Sequence, residues 1–308
     1  MVGALLTLPT RRSFVTMASV RPGILVLVLV CGLLSACQGR STTCGPDFGT
    51  GTSTHDITVD GQKRSYTVHV PKDIGTDPVP VLYLFHGLGD QSETVIKQTR
   101  TDAMSDDRNV LLVAPQAAGE KKAWDVYGIA TDQGKDATFV DELKRRISGL
   151  GCVDKDRQYV AGMSNGSGVS FALACRGGYA GYAGVALTFT MKECDDAPPA
   201  SILYAHGTAD KYVPFQGGQT PIFPVAPATT VIRKWADHDK CGRTPAGKEV
   251  GGDTTLYAWD DCADGVRLHY YVVRGGGHTW PGSNPMPPLG KTTTSFSATR
   301  VIADFFKL

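Results

Sequence analysis

The sequence of 308 residues lacks any marked excess of charge, with 31 Lys and Arg against 30 Asp and Glu. Binding to nucleic acid depends on clustered basic residues that neutralise phosphates, so we expect no nucleic acid partner. The sequence also lacks HExxH and EF-hand motifs and any CxxC pair, which are the usual patterns of zinc and calcium sites. We therefore predict no metal site. No apolar run after residue 37 is long enough to span a membrane.

Cysteine, by contrast, is abundant, and eight cysteines are many for a protein of the reducing cytosol. Three arginines precede the uncharged run 23–36 (GILVLVLVCGLLSA). This run is shorter than the about 20 apolar residues of a transmembrane helix, and it is typical of a signal peptide. It ends in Leu-Ser-Ala followed by Cys37, a sequence that resembles the lipobox of bacterial lipoproteins.

We therefore predict a lipoprotein signal peptide over residues 1–36 and a lipid attached to Cys37. The lipid would anchor an exported protein on the outer side of the cytoplasmic membrane or in the cell envelope. A plain secretory signal with a cysteine near its end is the alternative. Translation from Met17 instead of Met1 would preserve the basic residue and the apolar run.

Six cysteines remain after cleavage and lipidation, and an even number in an exported protein predicts three disulfides. Two pairs are close in sequence, and for that reason we expect the disulfides Cys175–Cys194 and Cys241–Cys262. This choice leaves Cys44–Cys152 as the third pair.

The rest of the chain divides into a tether and one domain. Residues 37–54 are rich in Gly, Ser and Thr, which predicts a flexible segment. In residues 55–308, apolar runs alternate with helical patterns after an initial hairpin around Asp60. The run VPVLYLF at 79–85 is typical of a strand that is buried on both faces. The sequence therefore predicts an α/β fold with a doubly wound, mostly parallel sheet and helices on both of its faces.

Further elements follow from the same patterns. Strands are predicted at 110–114, 158–161, 185–189, 202–205 and 268–273, and helices at 136–147, 164–174, 230–236 and 297–306.

One motif carries the strongest chemical signal. Residues 162–166 read Gly-Met-Ser-Asn-Gly, the G-x-S-x-G pattern, and they lie between the predicted strand RQYVA and the helix SGVSFALA. In this setting the pattern places a serine on a sharp turn, with its hydroxyl raised at the edge of the sheet. Glycines are needed two residues to either side because the turn is crowded. Ser164 is therefore the candidate nucleophile, although an ordinary turn serine would show the same string.

The partners that a nucleophilic serine needs also follow predicted strands. Asp210 lies after SILYA in the segment HGTAD, and His278 lies after LHYYVVR in the segment GGGH. The order Ser, Asp, His is that of α/β-hydrolases. Upstream, the segment HGLG after VLYLF can direct the backbone N–H of Leu88 towards a carbonyl oxygen. Alone, each residue would suit a turn, a helix cap or an exposed loop; together they predict a catalytic triad.

The roles follow from this chemistry. Ser164 would attack an ester carbonyl, His278 would transfer the proton, and Asp210 would orient the imidazole. The N–H groups of Asn165 and Leu88 would stabilise the oxyanion. The histidines at 86 and 206 are interpreted as structural members of their loops.

Five segments resemble those of a known family: HGLGD, GMSNGS, HGTADKYVPF, WADHDKC and GGGHTWPG. They are similar to the secreted polyhydroxyalkanoate depolymerase and feruloyl-esterase group, which are α/β-hydrolases of the carbohydrate-esterase type. The resemblance implies hydrolysis of acyl or aryl esters without a cofactor, on substrates that range from short hydroxyalkanoate esters to feruloyl or acetyl esters of carbohydrates. It also implies that Ser164, Asp210 and His278 form the triad.

Two tryptophans are candidates for binding the substrate. Trp280 lies two residues after His278, and Trp124 lies in the loop KKAWDVYG, so that either could form an aromatic wall for a sugar or phenolic ring. For Trp280, packing beneath the histidine loop is an equal alternative. The loops 214–228 and 281–292, rich in Pro and Gly, are predicted to shape the rim of the pocket.

The leading hypothesis is thus an exported serine esterase that acts through an acyl-enzyme. An acyltransferase to a sugar or lipid alcohol would use the same triad. A non-catalytic binding protein on a hydrolase scaffold is the third possibility, and the intact set of catalytic residues argues against it.

Overall fold

A computed structural model describes residues 48–75, 77–220 and 223–308 of the chain. The predicted signal peptide, the lipidation site Cys37 and Cys44 lie outside the described residues. In the described part of the chain, no helix combines the length and the apolar character needed to cross a membrane.

The central element is a ten-stranded sheet. Its strands are β1 (Gly51–Val59), β2 (Gln62–Val70), β3 (Val79–Phe85), β4 (Leu111–Pro115), β5 (Val153–Met163), β6 (Gly181–Val185), β7 (Ile202–Gly207), β10 (Lys248–Glu249), β11 (Thr254–Trp259) and β12 (Leu268–Val273). Their order across the sheet is β1-β2-β4-β3-β5-β6-β7-β12-β11-β10. A separate two-stranded ribbon pairs β8 (Gly218–Gln219) with β9 (Pro224–Val225).

The helices are α1 (Ser92–Thr99), α2 (Thr101–Arg108), α3 (Val126–Ala130), α4 (Gly134–Ser148), α5 (Asn165–Arg176), α6 (Ala228–His238) and α7 (Ala298–Phe306). Short 3₁₀ turns span Lys192–Asp196, Ala263–Gly265 and Pro287–Leu289.

The six inner strands of the sheet, from β4 to β12, are parallel to one another, and antiparallel strands extend both edges. This confirms the predicted doubly wound, mostly parallel sheet of a single α/β domain. Parallel strands need crossover connections, which the helices supply.

Helices cover both faces of the sheet because successive side chains of a strand point to opposite sides. In β3, Tyr83 belongs to the core on one face, together with Phe139 of α4 and Ile232 of α6. Its neighbour Leu84 belongs to the core on the other face, with Ile96 of α1 and Ile302 of α7. The continuous apolar run of β3 therefore fills two cores at once.

Several boundaries differ from the prediction. Residues 51–54, assigned to the tether, form the first half of β1, where Thr54 pairs with Thr67 of β2. The predicted strand at 185–189 is found at 181–185, where two glycines obscured the pattern. A Cβ at Gly184 of this strand would collide with the Ser167 hydroxyl, so that close packing against α5 accounts for glycine here.

Two of the predicted disulfides are present. Cys175–Cys194 joins the end of α5 to the 3₁₀ turn after β6, and Cys241–Cys262 joins the chain after α6 to that after β11. Cys152 is also disulfide-bonded. The partner predicted for it, Cys44, lies outside the described residues.

Candidate active site

Ser164 occupies a strained turn between β5 and α5. Its φ of 54° and ψ of −122° are rarely adopted by residues other than glycine. Two backbone hydrogen bonds hold this conformation: Ser164 N donates to Val185 O at 2.8 Å, and Gly168 N donates to Ser164 O at 3.0 Å. The positive end of the α5 dipole therefore points at the serine.

Steric crowding explains both glycines of the motif. A Cβ at Gly162 would collide with the backbone of Gly166, and a Cβ at Gly166 would collide with the carbonyl group of Phe85. A Cβ at Gly87 would lie 3.5 Å from Ser164 Cβ, so that the loop after β3 passes directly beside the serine. Close packing therefore requires glycine at positions 162 and 166, in addition to the unusual backbone angles at Ser164.

Asp210 and His278 meet because β7 and β12 are neighbouring parallel strands, whose carboxyl ends lie at the same edge of the sheet. His278 Nδ1 lies 2.7 Å from Asp210 Oδ2. A carboxylate accepts, so Nδ1 carries the proton and Nε2 is left as the basic atom of the ring. The backbone of His278 is held as well, since its N–H donates to Leu289 O at 2.7 Å.

The Asp210 carboxylate accepts four hydrogen bonds. Oδ1 accepts the backbone N–H groups of Tyr212 and Val213 at 2.8 and 2.9 Å, and Oδ2 accepts from His206 Nε2 at 3.2 Å in addition to His278. Burial by itself raises the pKa of Asp210, but the hydrogen bonds from His206, His278 and Val213 outweigh it, so that the pKa lies well below its ordinary value. Asp210 is therefore ionised whenever the protein is folded near neutral pH.

His206 is a supporting residue that the sequence analysis interpreted only as structural. Its Nε2 also lies 3.0 Å from Val213 O, which can only accept, so Nε2 carries a proton. Tyr204 Oη lies 2.7 Å from His206 Nδ1, and burial raises the pKa of Tyr204 well above its ordinary value. The spacing of His and Asp in HGTAD was the signal that could have revealed this contact.

One cavity of about 440 Å³ is lined by both Ser164 and His278. Half of the other fourteen lining residues carry apolar side chains: Leu88, Met163, Leu187, Val213, Phe223, Met286 and Leu289. The carboxylate of Asp90 is the one fully charged group among the described lining residues. Thr220 and Phe223 come from the loop 214–228, and Met286 and Leu289 from the loop 281–292, the two segments predicted to shape the rim.

The two residues predicted to donate to the oxyanion belong to the two Gly-rich segments beside the cavity. Leu88 and Asn165 both line it, and no described residue accepts a hydrogen bond from either N–H. His86 orients the peptide before Leu88: its Nε2 accepts from Ala117 N at 3.0 Å, and its Nδ1 donates to Gly87 O at 2.6 Å. Burial lowers the pKa of His86, which favours this neutral ring.

Neither tryptophan lines the cavity, so the substrate-binding role predicted for them is wrong, and Trp280 instead follows its packing alternative. Trp124 is 4% exposed and Trp280 is 2% exposed. The indole of Trp280 donates to Thr299 Oγ1 at 3.0 Å and packs in the core beneath α7. Both rings are buried packing residues and form no aromatic wall.

Tyr212 is an aromatic residue of the cavity that the sequence analysis did not single out. It lines the cavity, is 46% exposed and has its ring 5.4 Å from that of His278. Its position two residues after Asp210 in HGTADKYVPF was the available signal. No group of three or more His, Cys, Asp or Glu residues in the described ranges is placed to hold a metal ion.

Comparison with known proteins gives a consistent result. Residues 64–198 match the model of the family described as Esterase PHB depolymerase. The chain is 26% identical over 284 residues to a putative esterase, NocK, of Nocardia uniformis subsp. tsuyamanensis, which covers 82% of each chain. It is 25% identical over 288 residues to feruloyl esterase D of Neurospora crassa, covering 86% of this chain and 92% of the relative.

Among solved structures, an acetyl xylan esterase from Aspergillus awamori is similar with a TM-score of 0.61 and 12% identity, covering 83% of this chain and 99% of that one. At this identity the likeness concerns the fold. Fold and matches together define the class: the chain is an α/β-hydrolase that acts on carboxylic esters. Within this class its matches are of the PHB depolymerase and feruloyl esterase type, in agreement with the resemblance of the sequence motifs.

Proposed function

We propose that the protein is an exported serine esterase whose triad consists of Ser164, His278 and Asp210. The observation that carries this proposal is the 2.7 Å hydrogen bond between His278 Nδ1 and Asp210 Oδ2, beside a cavity that Ser164 also lines. The strained backbone of Ser164 supports it, because strain of this kind persists where function requires it.

The reaction proceeds in two halves. Ser164 Oγ attacks the ester carbonyl while His278 Nε2 accepts its proton, and the N–H groups of Asn165 and Leu88 stabilise the oxyanion. Collapse of this intermediate expels the alcohol, which receives the proton from His278, and leaves an acyl group on Ser164. Water then loses a proton to His278 and attacks the acyl-enzyme. The second intermediate collapses as His278 returns the proton to Ser164 Oγ, which releases the carboxylic acid and restores the free serine.

The cavity supports esters with an uncharged acyl or aryl group. Its lining includes seven apolar side chains that suit such a group, and the carboxylate of Asp90 disfavours a negatively charged acyl group. The names of the relatives, feruloyl esterase and acetyl xylan esterase, agree with such substrates. We therefore propose feruloyl or acetyl esters of carbohydrates, or short hydroxyalkanoate esters.

An ester panel tests the activity. Wild type is assayed on p-nitrophenyl acetate, p-nitrophenyl butyrate, methyl ferulate, acetylated xylan and a short hydroxybutyrate oligomer, beside Ser164→Ala and the control Ser170→Ala. Ser170 is a buried serine of the same helix, and no described residue bonds its hydroxyl. We expect Ser164→Ala to lower kcat/KM by at least about 10³-fold and Ser170→Ala to retain activity. Equal activity of wild type and Ser164→Ala on every ester would refute the proposal.

Product analysis in the presence of sugar or lipid alcohols addresses acyl transfer. Hydrolysis predicts the free acid as the main product at every alcohol concentration. A transesterified product that dominates in water would favour the acyltransferase instead.

Export and anchoring form a separate part of the proposal. The two disulfides agree with an oxidising compartment. With a lipid on Cys37, the full chain should partition into the membrane fraction, and Cys37→Ala should move it to the soluble fraction with unchanged kcat. A membrane-bound Cys37→Ala variant would contradict the lipid anchor and leave the esterase activity in place.

A further inference from the structure

Trp124 contacts both segments that carry the proposed oxyanion donors. Its indole Nε1 donates to His86 O at 3.1 Å, at the end of β3 just before Gly87 and Leu88. Its backbone N–H donates to Asn165 Oδ1 at 2.7 Å, and Asn165 Nδ2 donates back to Trp124 O at 3.3 Å. One residue, from a loop that carries neither donor, is therefore bonded to both.

The bonds with Asn165 assign a separate task to its side chain. The backbone N–H of Asn165 remains available to the oxyanion, whereas its amide group pairs with both backbone polar groups of Trp124. Replacing only the side chain would thus leave the donor in place and remove the link that positions it.

The Trp124 loop is itself held firmly. The indole lies edge-on to Phe85 at 5.2 Å and is stacked on Phe139 at 6.5 Å between ring centroids. The next residue, Asp125, donates its N–H to Asp136 Oδ2 at 2.9 Å. Asp136 is also paired with the buried Arg64 at 2.8 Å, so the loop is tied to β2 and α4.

We propose that Trp124 and the Asn165 side chain are positioning residues that set the distance between the two oxyanion donors. The inference rests on the proposed function, because it assumes that Leu88 and Asn165 bind the oxyanion. Leu88 follows β3 and Asn165 begins α5, so the two donors belong to different elements. Trp124 joins these elements without contacting the cavity. Their separation decides whether both N–H groups reach one oxygen, which matters in the transition state more than in the bound ester.

The test uses two variants that each remove part of the link. Trp124→Phe keeps an aromatic ring between Phe85 and Phe139 but loses the bond to His86 O. Asn165→Ala keeps the backbone N–H but loses both bonds to Trp124. Trp235→Phe is the control, because Trp235 is equally buried and no described residue bonds its indole nitrogen. All enzymes are normalised by active-site titration.

We expect each variant to lower kcat on a p-nitrophenyl ester by about 10- to 100-fold, less than the 10²–10³ of deleting a donor outright. KM should change by no more than about twofold, since ground-state binding is unaffected. The double variant should lose less than the product of the single losses, because both substitutions break the same link. Trp235→Phe should retain the wild-type kcat.

A trifluoromethyl ketone provides a readout that a merely structural role would not change. Ser164 adds to its carbonyl and leaves an oxyanion in the hole, so its Ki should rise in proportion to the fall in kcat/KM. An unchanged Ki per active site, or an unchanged kcat in both variants, would overturn the inference. Should Ser164→Ala retain full activity, the proposed function fails first; should Ser164→Ala be inactive while Trp124→Phe and Asn165→Ala are unaffected, only the positioning role fails.

Discussion

Asp210 and Asp239 are both buried carboxylates beside a histidine, yet their surroundings shift the pKa in opposite directions. Asp210, at the end of β7, has a pKa well below its ordinary value because four hydrogen bonds outweigh burial. Asp239, after α6, is only 1% exposed, and burial raises its pKa above the ordinary value. Its carboxylate accepts from His238 Nδ1 at 2.6 Å and from Ala200 N at a long 3.4 Å.

The difference shows that burial alone does not decide the charge of a carboxylate. Asp210 receives two backbone N–H groups at short distance because the chain turns around it, whereas Asp239 lies at the end of a helix with one distant backbone donor. The end of the sheet that carries the proposed triad thus stabilises a negative charge on Asp210. The region around Asp239, next to the Cys241–Cys262 disulfide, holds the chain together without such a requirement.

The largest effect should come from Asp210→Asn. The amide has a single accepting oxygen, so it cannot accept both from the histidines that bond Oδ2 and from the backbone N–H groups that bond Oδ1. It also removes the charge that stabilises the imidazolium of His278. We expect kcat to fall by about 10³- to 10⁴-fold, as for the corresponding change in serine protease triads. Steady-state kinetics on a p-nitrophenyl ester measure this, with Asp239→Asn as the matched control that should retain kcat. A similar loss of kcat in both variants would remove the contrast.

The next effect concerns stability. Cys241→Ser with Cys262→Ser should lower the free energy of unfolding by about 3 kcal/mol, as expected for a disulfide that closes a loop of this length. Below the unfolding transition kcat should remain within about twofold, because neither cysteine lines the catalytic cavity. Urea titration and kinetics on the same sample provide the measurement. A large loss of kcat in the folded variant would show that this region does influence the site.

Tyr204→Phe should have a moderate effect on stability and kcat, because Tyr204 contacts His206, which in turn contacts Asp210. The change removes the hydroxyl beside His206 Nδ1 and leaves a buried ring nitrogen without this partner. We expect a loss of about 1–2 kcal/mol in the free energy of unfolding and a fall of less than about tenfold in kcat. Tyr270→Phe is the control, since no described residue bonds its hydroxyl. Equal stability of the two variants would argue against the bond.

The smallest effect is the pH dependence of stability, for which Asp239 and Asp210 are expected to have opposite signs. Because the pKa of Asp239 is raised on folding, this residue contributes most to the free energy of unfolding at low pH. The contribution declines as the pH rises from the pKa of the unfolded state, near 3.8, through the pKa of the folded state. The pKa of Asp210 is lowered on folding, so its dependence on pH is opposite. Asp210 contributes fully to the free energy of unfolding above the pKa of the unfolded state, and this contribution is lost as the pH falls below that pKa.

Urea unfolding of wild type and each Asp→Asn variant between about pH 3 and pH 7 tests these signs. The free energy of wild type minus that of the variant should decrease with pH for Asp239→Asn and increase with pH for Asp210→Asn. If this free-energy difference changed with pH in the same direction for both variants, the opposite pKa shifts of Asp210 and Asp239 would be contradicted.

The parts of the molecule that the sequence could predict depend on local signals. The buried run of β3 and the Gly-rich segments around Ser164, Asp210 and His278 are each recognisable within about ten residues, since burial, turns and strand ends all leave short patterns. Parallel strands then bring these segments to one edge of the sheet. For that reason the sequence alone was enough to predict that Ser164, Asp210 and His278 lie near one another in the fold.

What the sequence could not predict depends on contacts between distant elements. Trp124 was expected to face the substrate, because nothing near it in sequence shows that Phe85, Phe139 and Asn165 enclose it. Strand β11 was missed because most of its side chains are half-buried and give no alternating pattern. Tyr212 was missed because its exposure depends on how the loop turns back over His278.

The proposed triad and the rim of the cavity are carried by different segments of the chain, which has a consequence for enzyme engineering. Ser164, Asp210 and His278 follow β5, β7 and β12, whereas Thr220, Phe223, Met286 and Leu289 reach the same cavity from the loops 214–228 and 281–292. A combinatorial library restricted to these four positions would change the shape offered to the acyl group and leave every sheet and triad residue untouched. We therefore expect such a library to change acyl preference without altering the proposed triad.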